Sequence, residues 1–255
     1  MIKGIFFDIY QTLIDVELKH ERGSEAWEVF SKFLASKGID EYNAGRCEIN
    51  YWQEIDKYYQ DKDPKIYHHD WQKSLRSMFQ SSYGVEISDT ELSELIWKFR
   101  RINQHQFKLY PQVKEVLNEL SQKYIIASAS IAQASYTRIE LQELGIEQYF
   151  QHLVFSSEIG FKKPSTFFYR KALEIVQLEP EECIMIGNDL YDDIYGAKRM
   201  GIHAIFVDNP ITPQEQINVQ PDAAISIQDF ALIPLKIQEI ERREELYEHI
   251  NSKNS

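Results

Sequence analysis

Four short stretches carry side chains suited to chemistry on an anionic substrate. The first is FFDIYQTLID (6–15), an apolar run that delivers Asp8 where a strand should end, followed by Tyr10, Gln11 and Thr12. A carboxylate at a strand end can face a ligand in the crevice there, although Asp is also a common turn residue. The second is YIIAS (124–128), whose Ser128 can donate a hydroxyl hydrogen bond to an anion. In the third, Lys163 precedes Pro164, which places it in extended backbone ahead of a helix as a local cation; Lys162 beside it reads as surface. The fourth is IGNDLYDDIYGAKRMGI (186–202), where Gly187 permits a tight exit and Asn188, Asp189, Asp192 and Asp193 set oxygen donors at a strand edge. Hard oxygen ligands in a phosphate-handling cleft suit Mg²⁺, which takes one or two carboxylates and keeps several waters. The same acids suit the N-terminus of the helix that follows, and Asp192 is assigned to its solvated face.

Such residues need a scaffold that gathers strand ends. IKGIFFD (2–8), YIIAS, HLVFS (152–156), CIMIG (183–187) and HAIFV (203–207) are apolar runs too short for helices and read as strands buried on both faces. Helical periodicity follows over 133–144, 164–178 and 190–200, with Gly145 and Gly201 where C-caps belong. This alternation predicts an α/β fold built on a doubly wound parallel, Rossmann-like sheet, with ligands beyond the carboxyl ends where Asp8, Ser128, Ser156 and Gly187 fall. Between 16 and 107 the pattern changes to amphipathic helices over 22–37, 47–60, 67–82 and 89–104, with no strand-like run. All four tryptophans lie there, pointed inward by helical spacing. LYPQVKEVL (109–117) marks the return, with Pro111 at a helix start. The expected organisation is an α/β core from 1–15 and 108–232, a helical insertion over 16–107, and a charged C-terminal helix and tail over 233–255 that frays at NSKNS.

At 255 residues and 43% hydrophobic, the chain can bury a sizeable core in one domain or two. A net charge of −12 opposes nucleic-acid and anionic-membrane binding, since no basic excess is available to displace counterions. No run reaches the roughly 18 apolar residues a bilayer span needs, and the N-terminus lacks a signal-peptide pattern, so a cytoplasmic protein is expected. Cys47 and Cys183 form neither a disulfide framework nor a ligand cluster and read as packing residues in a reducing compartment. His68, His69 and Asp70 read as a solvated helix start. The expected partner is a small-molecule substrate, with no nucleic acid and no membrane; the oligomeric state is left open.

Asp8 and Thr12, Ser128, Lys163-Pro164 and Gly187 through Asp193, in that order and each at a strand end, resemble the motifs of the haloacid dehalogenase-like hydrolase superfamily. PDAAISIQDF (221–230) resembles its last strand and turn, so the resemblance covers nearly the whole chain. It implies that the helical insertion is a cap that closes over the crevice and selects the substrate. It also implies that Asp8 is the nucleophile, forming an acyl intermediate that water cleaves. By the same resemblance Ser128 and Lys163 bind phosphoryl oxygens, Asp193 orients Lys163 or the metal's waters, and Asp8, the Tyr10 carbonyl and Asn188 or Asp189 hold Mg²⁺. The implied activity is a Mg²⁺-dependent phosphatase acting on a small phosphorylated metabolite through an aspartyl-phosphate on Asp8.

Three positions depart from the pattern. Tyr10 stands where the family's phosphatases carry a second Asp that protonates the leaving group and activates water, help worth about 10²–10⁴-fold, or roughly 3–5 kcal/mol. Gln11 replaces the usual Gly, which is tolerated if the backbone there avoids positive φ. Asn188 replaces the commonest first acid of the fourth motif and shifts the ligand burden toward Asp189. A Tyr at position 10 is usual in the family's 2-haloacid dehalogenases, a metal-independent alternative whose halide leaves without a proton. Those enzymes, however, carry Ser-Asn where this chain has Ser128-Ala129, and they lack the acidic fourth motif; Arg46, a candidate halide ligand, reads as solvated surface. A third reading is a catalytically weakened binding or regulatory protein, served by an exposed aromatic face of Tyr51, Trp52, Tyr58, Tyr59 and Trp71, rings that otherwise read as a helical core.

Overall fold

A computed structural model describes residues 1–19 and 22–253, with only the backbone course over 248–253. The chain opens with strand β1 (Gly4–Phe7) and, after the Asp8–Leu13 loop, strand β2 (Ile14–Leu18). Helices α1 (Glu28–Ser36), α2 (Ala44–Tyr59), α3 (Trp71–Tyr83) and α4 (Asp89–Asn103) follow, and β3 (Gln104–Leu109) leads back. Then come α5 (Val113–Leu120), β4 (Ile125–Ser128), α6 (Ala134–Glu143), α7 (Ser156–Ile159), α8 (Thr166–Val176) and β5 (Cys183–Gly187). The last elements are α9 (Gly196–Lys198), β6 (His203–Asp208), β7 (Ala223–Ser226) and α10 (Ile233–Lys253).

The sheet has five parallel strands in the order β4-β1-β5-β6-β7. Phe7 pairs with Ser128 on one side and Ile186 on the other, so the ends of β4, β1 and β5 are level and Asp8 emerges between them. Both faces of β1 are covered: Ile5 and Phe7 join a cluster with Ile126, Ile184 and α10's Ile237, while Phe6 packs with Met185 and Phe168 on the other side. Each such ring or branched chain contributes about 1.5–3 kcal/mol by leaving water, which is why strand periodicity gives way to a continuous apolar run. The C-terminal helix is seated through Ile233, Ile237 and Ile240 and continues to Lys253; Asn254 and Ser255 of the expected fraying tail lie outside the described residues.

Three expectations are corrected. HLVFS is not a ladder strand: it runs beside β4 with two isolated bridges, because Ser128 Oγ accepts the Val154 N–H at 2.8 Å and so takes a ladder donor. The helix expected over 190–200 is a wide π-turn (Leu190–Tyr195) followed by the short α9. The insertion is framed by an antiparallel ribbon in which Ile14 faces Leu109 and Leu18 faces Gln104. QHQFKL has little alternation, so its pairing is decided by context rather than by pattern.

Within the insertion, Trp27, Phe30, Tyr51, Trp71, Phe79 and Phe99 form its own core, with Phe99 edge-on to both Trp27 and Trp71 at 4.9 and 5.0 Å. Of the five rings considered as a partner surface, Tyr51 and Trp71 are buried and the rest half-buried, so they make no open face. Helix starts are capped by Asn43, Asp70 and the Ser88/Glu91 capping box. Both cysteines are buried. Among the described residues no helix is long and apolar enough to cross a membrane.

Candidate active site

The level strand ends gather Asp8, Lys163 and Asp193 into one buried cluster. Lys163 reaches in from the segment ahead of α8, 3% exposed, and donates from Nζ to Asp8 Oδ1 at 2.7 Å, to the Ala129 carbonyl at 2.8 Å and to Asp193 Oδ1. Burial would strip its proton, but Asp193 and Asp8 outweigh that cost and hold the ammonium above the ordinary lysine range. One ammonium thus faces two carboxylates. Burial pushes Asp193 up to about 7 while Lys163 pulls the other way. Its second oxygen accepts the Asp189 N–H at 3.0 Å, and it lies so close over Gly187 that a Cβ there would overlap it, so glycine is required.

The loop after β1 closes with Thr12, which donates to Asn188 Oδ1 at 2.6 Å and lies 3.4 Å from Asp8 Oδ2. Asn188 Nδ2 donates to Thr212 Oγ1 at 2.7 Å, fixing the amide with its oxygen on the Thr12 side. Asp189 commits one oxygen to the N–H groups of Tyr191 and Asp192, both at 2.8 Å, and so caps the π-turn. Gln11 has φ of +64°, contrary to the expectation that the backbone would avoid positive values. The strain is offset by hydrogen bonds: its side chain donates to the Val16 carbonyl and accepts from Tyr110, and its carbonyl accepts from Asn209.

These groups line a pocket of about 170 Å³, floored by Asp8 and Lys163 and walled by Tyr10, Ser130 and Asn188. Ser128 is not among its walls. Fully buried, its Oγ bonds to both the N–H and the carbonyl of Val154, and the hydroxyl residue at the pocket is Ser130, the second serine of ASAS. Asp192 is also corrected: rather than solvated, it lines the pocket, and burial with repulsion from Asp189 and Asp8 outweighs Lys163 and raises it to about 7. The pocket shares Ile131, Lys163, Asp189 and Asp192 with a cavity of about 760 Å³ that runs under the 63–66 loop of the insertion.

The donors that could meet a cation are the Asp8 carboxylate, the Tyr10 carbonyl and the oriented Asn188 oxygen, with Asp189's second oxygen at the pocket edge. Among the described residues no three His, Cys, Asp or Glu side chains converge to chelate a metal. An all-oxygen set with one or two carboxylates is the kind Mg²⁺ accepts while keeping several waters, and it carries less negative charge than an all-carboxylate site would.

The profile of the haloacid dehalogenase-like hydrolases matches residues 24–207. The chain belongs to this family. The matched span begins after β1, so the Asp8–Thr12 loop lies outside it. The chain is 26% identical over 155 residues to a phosphoserine phosphatase of Thermus thermophilus, covering 60% of each chain. It is 37% identical over 81 residues to a glyceraldehyde 3-phosphate phosphatase of Methanothermobacter thermautotrophicus, covering 32% of this chain and 36% of that one. It thus spans less than two thirds of either relative. Among solved structures, a 2-haloacid dehalogenase of Pseudomonas syringae pv. tomato superposes with a TM-score of 0.63 at 20% identity, over 94% of this chain and 99% of that one, a likeness of fold.

Within this family fold, the position-10 side chain has an unexpected setting. Tyr10 lines the pocket, but its hydroxyl donates to Glu140 Oε2 on α6 and lies 2.8 Å from Thr137 Oγ1, residues that do not line it. Glu140 is fully buried and also accepts from Arg100 Nε of α4 at 2.7 Å and from Gln104 Nε2. The Arg100 guanidinium lies 4.2 Å over the Tyr136 ring. Burial and the Glu140 charge push the Tyr10 hydroxyl well above the ordinary phenol range.

A second seam joins insertion and core through the 66–71 segment. Lys162 N–H donates to the Ile66 carbonyl at 2.7 Å, and His68 N–H to the Gly160 carbonyl at 3.0 Å. Gln133 accepts the Trp71 N–H at 2.8 Å and donates to the His69 carbonyl at 2.9 Å, while His68 Nδ1 lies 2.6 Å from Ser156 Oγ. His68 and His69 are therefore packed rather than solvated, and burial, with Lys162 nearby, lowers them to about 3 and about 4. Neither seam was visible in the sequence, because each joins residues far apart in the chain. Arg46 is exposed on α2 and lines neither the pocket nor the adjoining cavity.

Proposed function

We propose that the protein is a Mg²⁺-dependent phosphohydrolase acting on a small phosphorylated metabolite through an aspartyl-phosphate on Asp8, with the helical insertion as its substrate-selecting cap. The observation that carries this reading is the Lys163 ammonium, buried and hydrogen-bonded to Asp8 Oδ1, which leaves Asp8 Oδ2 on the Asn188 side as the attacking atom. Lys163 neutralises the nucleophile's charge enough for a phosphoryl dianion to approach, and Asp193 holds that ammonium in place. Mg²⁺ bound at Asp8, the Tyr10 carbonyl and the Asn188 or Asp189 oxygens would supply further charge neutralisation on the phosphoryl oxygens. Ser130, which lines the pocket as Ser128 does not, would offer a hydroxyl to them. Attack forms the Asp8–phosphorus bond and expels the leaving oxygen; water then cleaves the acyl-phosphate. The phosphatase names of the two sequence relatives support the substrate class.

Without a free acid at position 10, the leaving oxygen departs unassisted, so turnover should favour phosphoesters of acidic alcohols. The test is phosphate release from p-nitrophenyl phosphate and from alkyl phosphates, with and without Mg²⁺, in wild type and Asp8→Asn. The expected result is Mg²⁺-dependent release, faster for the aryl ester by about 10²-fold or more and reduced roughly 10⁴-fold in Asp8→Asn. The missing acid also favours a second reading, metal-independent release of halide from 2-haloacids. Halide release that survives chelation of Mg²⁺, with no phosphate release, would replace the first reading by the second.

A further inference from the structure

We propose that Tyr10 is a positioning residue, tying the loop that carries Asp8 to the helical insertion through the shared Glu140 carboxylate that Arg100 also grips. This deepens the phosphohydrolase reading and rests on it for its kinetic part. Three segments distant in sequence meet at that one carboxylate: the post-β1 loop through Tyr10, core helix α6 through Glu140 itself, and the insertion through Arg100 of α4 and Gln104 at the start of β3. Glu140 is fully buried and Arg100 is 4% exposed, so the pair has no water to fall back on. A buried carboxylate that loses one of its donors must rearrange its remaining partners. Tyr10 lies two residues from Asp8 and two from Thr12, and both of its neighbours in the loop are held: Ile9 O accepts from Leu13 and Ile14, and Gln11 O from Asn209. A shift of α4 is therefore transmitted to a short, over-determined loop whose other end is the nucleophile. On this account, the hydroxyl at position 10 replaces a proton-transfer role by a mechanical one.

The test is a double-mutant cycle of Tyr10→Phe and Glu140→Gln in the full-length chain, read by amide hydrogen exchange over residues 9–14 and by p-nitrophenyl phosphate turnover with Mg²⁺. Each single variant is expected to raise exchange over 9–14 about tenfold and to lower kcat about tenfold, with KM within twofold and the kcat–pH profile unchanged in shape. The double variant is expected to be no worse than either single one. Should Glu140→Gln fail to fold, Arg100→Lys, which keeps the charge but not the Nε contact, takes its place in the cycle. Effects that multiply in the double variant, or exchange over 9–14 equal to wild type, overturn the coupling. So does loss of one limb of the pH profile in Tyr10→Phe, which would make Tyr10 a proton donor. Exchange is read without substrate, so a wild type that releases no phosphate sinks the phosphohydrolase reading alone, and the exchange cycle still decides this one.

Discussion

Two buried ion clusters lie on either side of Tyr10, and they are built from the same parts to opposite ends. At the pocket, one ammonium serves two carboxylates, and Asp8 retains 8% exposure and an oxygen that is not bonded to the lysine. At the seam, one guanidinium serves one carboxylate, Glu140 is fully buried, and Tyr10 and Gln104 occupy what Arg100 leaves. An unbalanced, unsaturated cluster can accept a new charged partner; a balanced, saturated one can only hold what it has. Reactivity and rigidity here differ by one carboxylate and one hydroxyl donor.

Paired substitutions test that contrast most strongly. Lys163→Met is expected to lower phosphate turnover about 10³-fold, since on the proposed function it removes the charge that faces the phosphoryl group, while melting temperature falls less than in an Arg100 variant because Asp8 opens to the pocket and buried Asp193, already raised to about 7, can take up a proton. Arg100→Met is expected to do the reverse: it strands Glu140 and costs about 3–5 kcal/mol by denaturant unfolding, with turnover of the folded fraction within about thirtyfold of wild type. Equal patterns in the two variants would erase the distinction.

A smaller effect concerns the histidine seam. Folded His68 and His69 titrate at about 3 and about 4, below the ordinary 6.5, so the unfolded chain binds more protons between those limits and stability falls as pH drops through them. From pH 7 to pH 5 each histidine should remove about 2 kcal/mol. Unfolding free energies at the two pH values, compared with a His68→Gln/His69→Gln variant, check this; identical slopes would show that the seam does not titrate. The smallest effect is at Gln11, where Gln11→Gly relieves a left-handed backbone but forfeits the bonds to Tyr110 and Val16, and should change stability by less than about 1 kcal/mol.

What could be read from the sequence followed a simple division. Continuous apolar runs announced β1, β4, β5 and β6, because burial on both faces leaves a one-dimensional signature, and the ends of those runs located Asp8 and the loop after Gly187, whereas Lys163 was placed by Pro164 and by the family resemblance. HLVFS carried that signature yet formed no ladder, since a side chain, Ser128, intercepted a backbone donor. Ser128 was named because it ends the strand, and Ser130 went unconsidered because nothing in the pattern marks it; in the fold the Ser128 hydroxyl turns to Val154 and Ser130 lines the pocket. Asp192 looked like a helix-surface acid because a regular helix was assumed where the chain makes a π-turn. Tyr10 could be seen as a missing acid but not as a tie, for its partners Glu140 and Arg100 lie 130 and 90 residues away.

The ribbon in which Ile14 faces Leu109 has an evolutionary consequence. Both ends of the insertion leave the core side by side, so the whole segment is a cassette that recombination could exchange without altering the sheet beneath it. The exchange is not free, because Glu140 stays behind with the core. Any replacement module must arrive with a cation at the place Arg100 occupies, and that single charge acts as a key restricting which modules this core can accept.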